Sequence, residues 1–362
     1  MNIAMSLVKS VEDFEKLSNF LLQHQNVDLK KYEPDFISDK KWAYAMIATD
    51  SKSSAQSNVL GCSISHLAYS TWKGVNLVID AIITVQEDSE ILGQEIYRST
   101  KNFAQKSHLT QMRGLLDMPI SHNFTSYGSD DVSKSEVWDI LHLPKSSIDK
   151  ITSKFNSGLL KKGWKNNDIS IIEASQGHMK SLVKMIQDLA IYEELLEDCW
   201  MNEFVLNEHY CNDGNVVLKS LDSTEPVVKI WVVMDNTNGE NKMIGYCCVI
   251  PSFSISKNFI ENEGIHEEIL GRYLYLEDLY VSPEYRGQGI GINLIHKICE
   301  YSKIRECSAI RWACLNWNQS SLDFYEQLGA ENIVRNEKLR MYREDFENIK
   351  NDDKEGWLRE VA

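Results

Sequence analysis

The residues most able to do chemistry stand together between Tyr275 and Gly291, a stretch reading Tyr-Leu-Glu-Asp-Leu-Tyr-Val-Ser-Pro-Glu-Tyr-Arg-Gly-Gln-Gly-Ile-Gly. Glu277 and Asp278 can take up a proton or hold a cation. After them, Arg286 opens a run in which Gly287, Gly289 and Gly291 remove side chains where a helix begins. Backbone N–H groups can then converge on an anion at the positive end of the helix dipole. Together the two features suggest a pyrophosphate held beside an acid/base pair. A dinucleotide fold would place its acidic residue about 20 positions after the glycines, and a P-loop would carry Lys-Ser/Thr. Here the acids come first and no such Lys follows.

These residues need a strand, a sharp stop and a helix to position them. Leu274, Leu276, Leu279 and Val281 supply strand-like apolar content, and Ser282-Pro283 ends it because proline cannot donate to a ladder. A helix from Gly291 to Lys303 follows, since Ile290, Leu294, Ile295, Ile298, Tyr301 and Ile304 recur at three- and four-residue intervals and form one apolar face. Gly329-Ala330 ends a later helix as a left-handed cap would. Ile333 to Tyr342 reads as a returning strand, and Ser252 to Gly271 as a long solvated insert.

A second block runs Asn316-Trp-Asn-Gln-Ser-Ser-Leu-Asp-Phe-Tyr325 and then Glu-Gln-Leu-Gly-Ala330. In order, the two blocks resemble the coenzyme A loop and last motif helix of the GNAT superfamily of N-acetyltransferases. From Ile169 to Asn348 the chain is similar in more detail to the diamine (spermidine/spermine) N-acetyltransferases and their thialysine-acetylating relatives. Leu189 to Glu194, Leu274 to Asp278 and the Arg286 loop carry this likeness. The resemblance implies a mixed α/β fold, with a mostly antiparallel sheet that splays near the coenzyme and helices on both faces. It implies acetyl-CoA as co-substrate and no metal. Carried over position by position, it makes Tyr192, Glu193, Glu277 and Asp278 amine contacts, and Leu279, Tyr280 and Val281 the strand that pairs with the pantetheine arm. Arg286, Gly287, Gln288, Gly289, Ile290 and Gly291 become the phosphate loop, Asn318 a coenzyme contact and Tyr325 the general acid. Where the family has a Glu-Gly-Trp-Arg stretch, this chain reads Asn336-Glu-Lys-Leu-Arg340. The missing Trp leaves a diamine, a polyamine and a thialysine-like amino acid all open as substrate.

The reaction has its own demands. An alkyl ammonium with a pKa of about 10 must lose a proton before it can attack a thioester. Glu277 or Asp278, directly or through water, suits that task. The departing thiolate needs a proton, and a tyrosine hydroxyl such as that of Tyr325 still carries one at neutral pH. A backbone N–H after Asp278 can meet the oxyanion. The competing reading is a non-catalytic acyl-CoA-binding regulatory module; the retained Glu277, Asp278, Asn318 and Tyr325 favour the enzyme.

Composition narrows the partners. The 362 residues carry a net charge of −15, which repels nucleic acid and suits a small cationic amine. No apolar run of about 18 residues and no secretory leader is evident, so a cytoplasmic protein without a membrane partner is expected. Eight cysteines lack Cys-x-x-Cys pairs and zinc-like His spacing, and read as buried thiols in a reducing compartment.

Internal repetition accounts for the length. Met5 to Leu22 repeats the strand-then-helix pattern of Ile169 to Ile186, Trp42 to Ala48 matches Lys229 to Met234, and Val59 to Ile64 matches Ile244 to Val249. Val75 to Val85 stands for the central strand, with a helix from Leu92 to Lys106 after it. Tandem GNAT-like domains are expected: a degenerate, inactive one over 1–152, a linker over 153–167 and a catalytic one over 168–362. Setting Val85 against Val281 places Ala81 and Ile82 opposite Glu277 and Asp278, Glu90 opposite Arg286, His122 opposite Asn318 and Ser129 opposite Tyr325. Because the diamine acetyltransferases are typically homodimers, the resemblance implies that the two halves form an intramolecular pseudo-dimer in a monomeric chain.

Overall fold

Two sheets carry the chain, and each contains a strand supplied by the other half. The structure is a computed structural model and describes residues 3–52, 59–85, 90–117, 124–132, 138–157, 168–199, 215–216, 226–239, 241–255, 270–333 and 339–346. The first half runs β1 (Ile3–Leu7), α1 (Val11–Gln25), α2 (Glu33–Ile37), β2 (Tyr44–Asp50), β3 (Val59–Ser70), β4 (Gly74–Thr84), α3 (Glu90–Lys106), β5 (Gln111–Asp117), β6 (Asp130–Asp131), β7 (Trp138–Pro144) and α4 (Lys145–Asn156). The second half runs β8 (Ile169–Glu173), α5 (Met179–Tyr192), β9 (Asn215–Val216), β10 (Val228–Asp235), β11 (Lys242–Ser254), β12 (Gly271–Val281), α6 (Ile290–Ile304), β13 (Ala309–Leu315), α7 (Gln319–Gln327), β14 (Glu331–Asn332) and β15 (Leu339–Asp345).

One sheet has the order β1-β2-β3-β4-β5-β15-β6, and the other β8-β10-β11-β12-β13-β7-β14, with β9 beside β10. Read in parallel, the two orders match strand for strand. Their sixth members are exchanged: β15 pairs antiparallel with β5 from Asp345↔Gln111 to Leu339↔Asp117, and β7 pairs with β13 from Pro144↔Ala309 to Trp138↔Leu315. The central pairs β4–β5 and β12–β13 are parallel; the other neighbours are antiparallel. Neither core belongs to one half alone. One joins Phe14, Leu17 and Ile64 to Trp231, Ile298 and Trp312; the other joins Ile79, Tyr97 and Met112 to Leu182, Val232 and Tyr246. Asp35 and Arg272 add a 2.7 Å ion pair between the halves, with Asp35 nearly sealed from solvent.

The pairing corrects the sequence register by one residue. Ser70↔Gly74 to Ser65↔Ile79 reproduces Ser254↔Gly271 to Val249↔Leu276, and Ile64↔Ala81 then reproduces Cys248↔Asp278. Each ladder skips one residue, Asp80 on β4 and Glu277 on β12. Asp80 therefore stands where Glu277 does, and Ala81 where Asp278 does. The next turn adds one more residue. Buried Leu92, Ile96, Tyr97 and Thr100 of α3 recur as Ile290, Leu294, Ile295 and Ile298 of α6, so Glu90 is the counterpart of Gln288 rather than of Arg286. Ser129 directly precedes β6, the counterpart of β14, and matches Ala330 rather than Tyr325. His122 lies outside the described residues. Insertions sit in the turns, where they do not disturb pairing, and ungapped counting cannot see them.

Some boundaries also move. The final strand is Leu339–Asp345, and Ser252 to Ser254 of the expected insert continue β11. Residues 153–156 of the expected linker prolong α4, whose Ile148, Ile151 and Phe155 are buried. Seven cysteines, Cys62, Cys199, Cys247, Cys248, Cys299, Cys307 and Cys314, are free and buried, whereas Cys211 lies outside the described residues.

Glycine makes the β11–β12 ladder possible near the end of β12. A Cβ on Gly245 would lie 2.7 Å from the Tyr280 carbonyl oxygen, and the matching Gly61 would meet the Ile83 oxygen at 2.6 Å. Both obstacles are backbone, so the strand itself must shift. Gly245→Ala is expected to destabilise the protein by about 1–3 kcal/mol, read as a lower denaturant midpoint. A wild-type midpoint would show that the ladder yields without cost.

Candidate active site

The skipped residue on β12 creates the site. Cys248 pairs with Asp278 and Val249 with Leu276, so Glu277 is a β-bulge residue, turned from the position that alternation would give it. Pairing between β12 and β13 is confined to Leu274↔Ile310 and Tyr275↔Arg311. Beyond Tyr275 the two parallel strands part. The resulting cleft has Glu277 to Val281 on one wall and Trp312 to Leu315 on the other.

Three carboxyls converge at the cleft. Asp278, 7% exposed, accepts a 2.8 Å hydrogen bond from the Tyr246 hydroxyl. Burial raises both Glu277 and Asp278 above their ordinary range, and the charge of Asp278 adds to the effect on Glu277. Glu193, one residue past α5, is pushed up to about 8 by burial, then by the charges of Asp278 and Glu277. Glu277 keeps part of its surface accessible.

Tyr325 reaches the same region from α7. It is 8% exposed, and its ring lies 4.7 Å from that of Trp312. Burial holds its phenol well above the ordinary value, with Cys314 and Glu193 adding to the effect. The hydroxyl is therefore a proton carrier throughout the neutral range.

The glycine loop has the backbone that its sequence suggests. Gly287 and Gly289 lie at φ 72° and 82°, in the left-handed region where a side chain is strained. Gly289 caps α6, and its carbonyl accepts from Asn293 N–H at 3.2 Å and Asn293 Nδ2 at 2.7 Å. A Cβ at Gly287 would meet nothing within 4 Å, so open space surrounds it. The Arg286 Nε donates to the Val281 carbonyl at 2.9 Å. With a left-handed loop, an exposed Arg286 and a fifteen-residue helix starting at Ile290, these residues fit a pyrophosphate.

The carried-over residues divide between two neighbourhoods. Glu193, Glu277 and Asp278 lie together, within electrostatic reach of one another. Tyr192, expected among the amine contacts, instead lies beside the loop. Its hydroxyl donates to Asn318 Oδ1 at 3.1 Å, and the Arg286 guanidinium lies 5.1 Å from its ring centre. Asn318 also caps α7 by accepting from the Ser321 N–H at 3.3 Å. Leu279, Tyr280 and Val281 pair with Cys247, Tyr246 and Gly245 along one edge, leaving the other towards the cleft. Gln288 donates to the Glu284 carbonyl at 3.4 Å, Ile290 is core, and Gly291, the second residue of α6, lies opposite Phe324. Asn336 to Lys338 lie outside the described residues. Sequence reading missed Tyr246, which follows Gly245 on β11, and Arg113, whose guanidinium acts on Glu277 from the other half. The one signal for Arg113 was the recurrence of Arg at the matching position, Arg311.

A bulged, splayed strand pair, a left-handed glycine loop and a tyrosine on the next helix match the arrangement that the GNAT resemblance leads one to expect of an acyl-coenzyme A transferase. The chain belongs to the GNAT acetyltransferase family, whose sequence pattern matches residues 189–330. A thialysine N-epsilon-acetyltransferase of Bos taurus is 30% identical over 183 residues, covering 48% of this chain and 91% of that protein. The Sus scrofa protein of the same name is 32% identical over 175 residues, with the same coverage. The spermidine/spermine N(1)-acetyltransferase-like protein 1 of Homo sapiens is 26% identical over 118 residues, covering 31% of this chain and 17% of that protein. The protein is thus an N-acetyltransferase that uses acetyl-CoA. Among the described residues, no helix is long and apolar enough to cross a membrane.

Proposed function

We propose that the protein acetylates the primary amine of a small cationic substrate: a diamine, a polyamine or a thialysine-like amino acid. Glu277, with Asp278 beside it, accepts the ammonium proton, and Glu193 helps hold the amine. Attack of the freed nitrogen on the thioester carbonyl gives an oxyanion that a backbone N–H on Leu279 to Val281 can meet. As the C–S bond breaks, Tyr325 gives its proton to the coenzyme A sulfur. Arg286 to Gly291 and Asn318 hold the coenzyme. The observation that supports this reading is the bulge at Glu277, next to the point where β12 and β13 part, with Glu277 within electrostatic reach of Glu193 and Glu193 within electrostatic reach of Tyr325.

The same reading makes 168–362 the catalytic part, 157–167 the connection and 1–156, with α4 included, a copy without a reaction of its own. The exchanged strands and shared cores support a pseudo-dimer inside one chain. The full chain is therefore expected to be a monomer by light scattering; a stable homodimer would count against it.

Thiol release from acetyl-CoA across diamines, polyamines, lysine analogues, aromatic amines and a peptide amino terminus tests the substrate class. Turnover with one class names it; coenzyme binding without turnover on any amine would defeat the proposal. Because burial raises Glu277, and a base acts only when ionised, kcat/KM is expected to fall with decreasing pH well above the ordinary glutamate range. A profile flat down to about pH 5, near the ordinary glutamate pKa, would remove a buried carboxyl from the rate-limiting proton transfer.

A further inference from the structure

Both halves keep a carboxyl at the strand bulge, but only one keeps a second carboxyl beside it. Asp80 and Glu277 are the residues that their ladders skip, and next to them stand Ala81 and Asp278. Asp80 accepts a 2.8 Å hydrogen bond from the Ile255 N–H and has apolar Ile79 and Ala81 on either side in sequence. The bulge carboxyl alone therefore does not set the second half apart. Asp278 does, together with the group that holds it.

That group is Tyr246. It is fully buried on β11, and its hydroxyl donates to Asp278 Oδ2 at 2.8 Å. The register accounts for the contact. Cys248 pairs with Asp278 and Tyr246 with Tyr280, so the four side chains share one face of the ladder and Tyr246 meets Asp278 on the diagonal. The Tyr246 ring lies 6.2 Å from that of Tyr280, within the core to which both halves contribute. The same positions in the first half are Cys62, paired with Ile83, and Ala81, paired with Ile64. Donor and acceptor are thus both replaced in the copy that lacks the run of glycines.

Burial works against a charge on Asp278, while the hydroxyls of Thr71 and Tyr246 and the thiol of Cys248 favour it. The ionisable groups in its reach are Glu277 on its own strand, Glu193 after α5, Tyr69 on β3, and Tyr246, Cys247 and Cys248 on β11. Each of these would be negative if ionised, so none offsets the charge as a cation would. Burial keeps the Tyr246 phenol protonated, and it acts as a donor throughout the neutral range. A carboxylate has lone pairs for further partners, so Asp278 can hold an ammonium while Tyr246 holds it.

We propose that Tyr246 is a positioning residue for amine binding: its hydroxyl fixes the Asp278 carboxylate beside Glu277, so that Asp278 holds the substrate ammonium while Glu277 takes its proton. This rests on the reading of Glu277 and Asp278 as the amine side of the cleft. It gives the two adjacent carboxyls different tasks. The tethered one binds, and the one on the bulge moves a proton.

The test compares steady-state kinetics of the full chain with Tyr246→Phe, Asp278→Asn and the double variant, using putrescine, spermidine and thialysine as amines. Tyr246→Phe keeps the ring in its core and removes only the hydroxyl. The amine KM should rise about tenfold, the worth of one hydrogen bond to a charged group, with kcat nearly unchanged and acetyl-CoA affinity by calorimetry that of the wild type. Asp278→Asn should raise KM at least as far, and the double variant no further, because the hydroxyl acts only through that carboxylate. A wild-type KM in Tyr246→Phe, a fall in kcat in place of the rise in KM, or effects that multiply in the double variant would overturn the proposal. Carbon-13 NMR of the Asp278 carboxyl in the unsubstituted chain needs no variant. Its resonance should be that of an ionised group at neutral pH and should shift when the amine is added; a protonated Asp278, or one indifferent to the amine, overturns the proposal. Failure of the underlying reading looks different: Glu277→Gln and Asp278→Asn would both keep wild-type kinetics, or none of the three amines would be acetylated.

Discussion

Glu277→Gln lowers kcat/KM for the amine by about 10²- to 10⁴-fold, the usual contribution of a positioned general base, and the deficit shrinks as pH rises. Gln has nearly the same shape and cannot accept a full proton, so the bulge and the coenzyme cleft remain. The variant must wait for amine that has already lost its proton. An alkyl amine has a pKa of about 10.4, and below that value each pH unit multiplies the free amine about tenfold. The wild type gains less, because its base takes the proton whenever Glu277 is ionised. The two rate profiles should converge towards alkaline pH. Parallel profiles would mean that Glu277 orients the amine without taking its proton. Equal rates at neutral pH would remove it from the mechanism.

Tyr325→Phe lowers kcat by about 10²-fold or more and leaves acetyl-CoA binding nearly unchanged. The ring stays against Trp312, at the present centroid distance of 4.7 Å, so the packing of α7 survives and only the hydroxyl is lost. A proton given to the sulfur is an interaction of the transition state alone. For that reason kcat and kcat/KM should fall together, with the KM for either substrate little changed. A rise in KM at constant kcat would instead assign Tyr325 to substrate binding. Unlike the Glu277 variant, this one should not recover merely because more free amine is present. Running both variants with one amine over one pH series separates base from acid.

Tyr246 shows why the site could not be read completely from the chain. The placement of Glu277, Asp278, the Arg286 loop, Asn318 and Tyr325 on strand, turn and helix was legible because each is close in sequence to the element that positions it. A strand ending in carboxylates, a proline stop and glycines at a helix start follow local rules of backbone conformation. The same locality made the helix at 290–304 legible to within a residue. The repeat was legible too, because strand and helix periods survive divergence.

What the chain alone could not supply was register and partnership. Thr84 stands opposite Gly61 as Val281 stands opposite Gly245, so counting from Val85, one residue further on in an equally apolar strand, placed Ala81 where Asp80 belongs, and one extra residue before α6 shifted the helices again. Tyr192 adjoins Glu193 in sequence, yet at the end of α5 it turns to Asn318 and Arg286, while Glu193 turns to Asp278 and Glu277. The exchange of β7 and β15 left no local mark, since either strand could complete either sheet by backbone pairing alone. The sequence by itself determined the local elements that carry the proposed reacting groups, because these depend on neighbours along the chain. Only the tertiary structure decided which half each strand completes, because that choice depends on how residues far apart in sequence share one core.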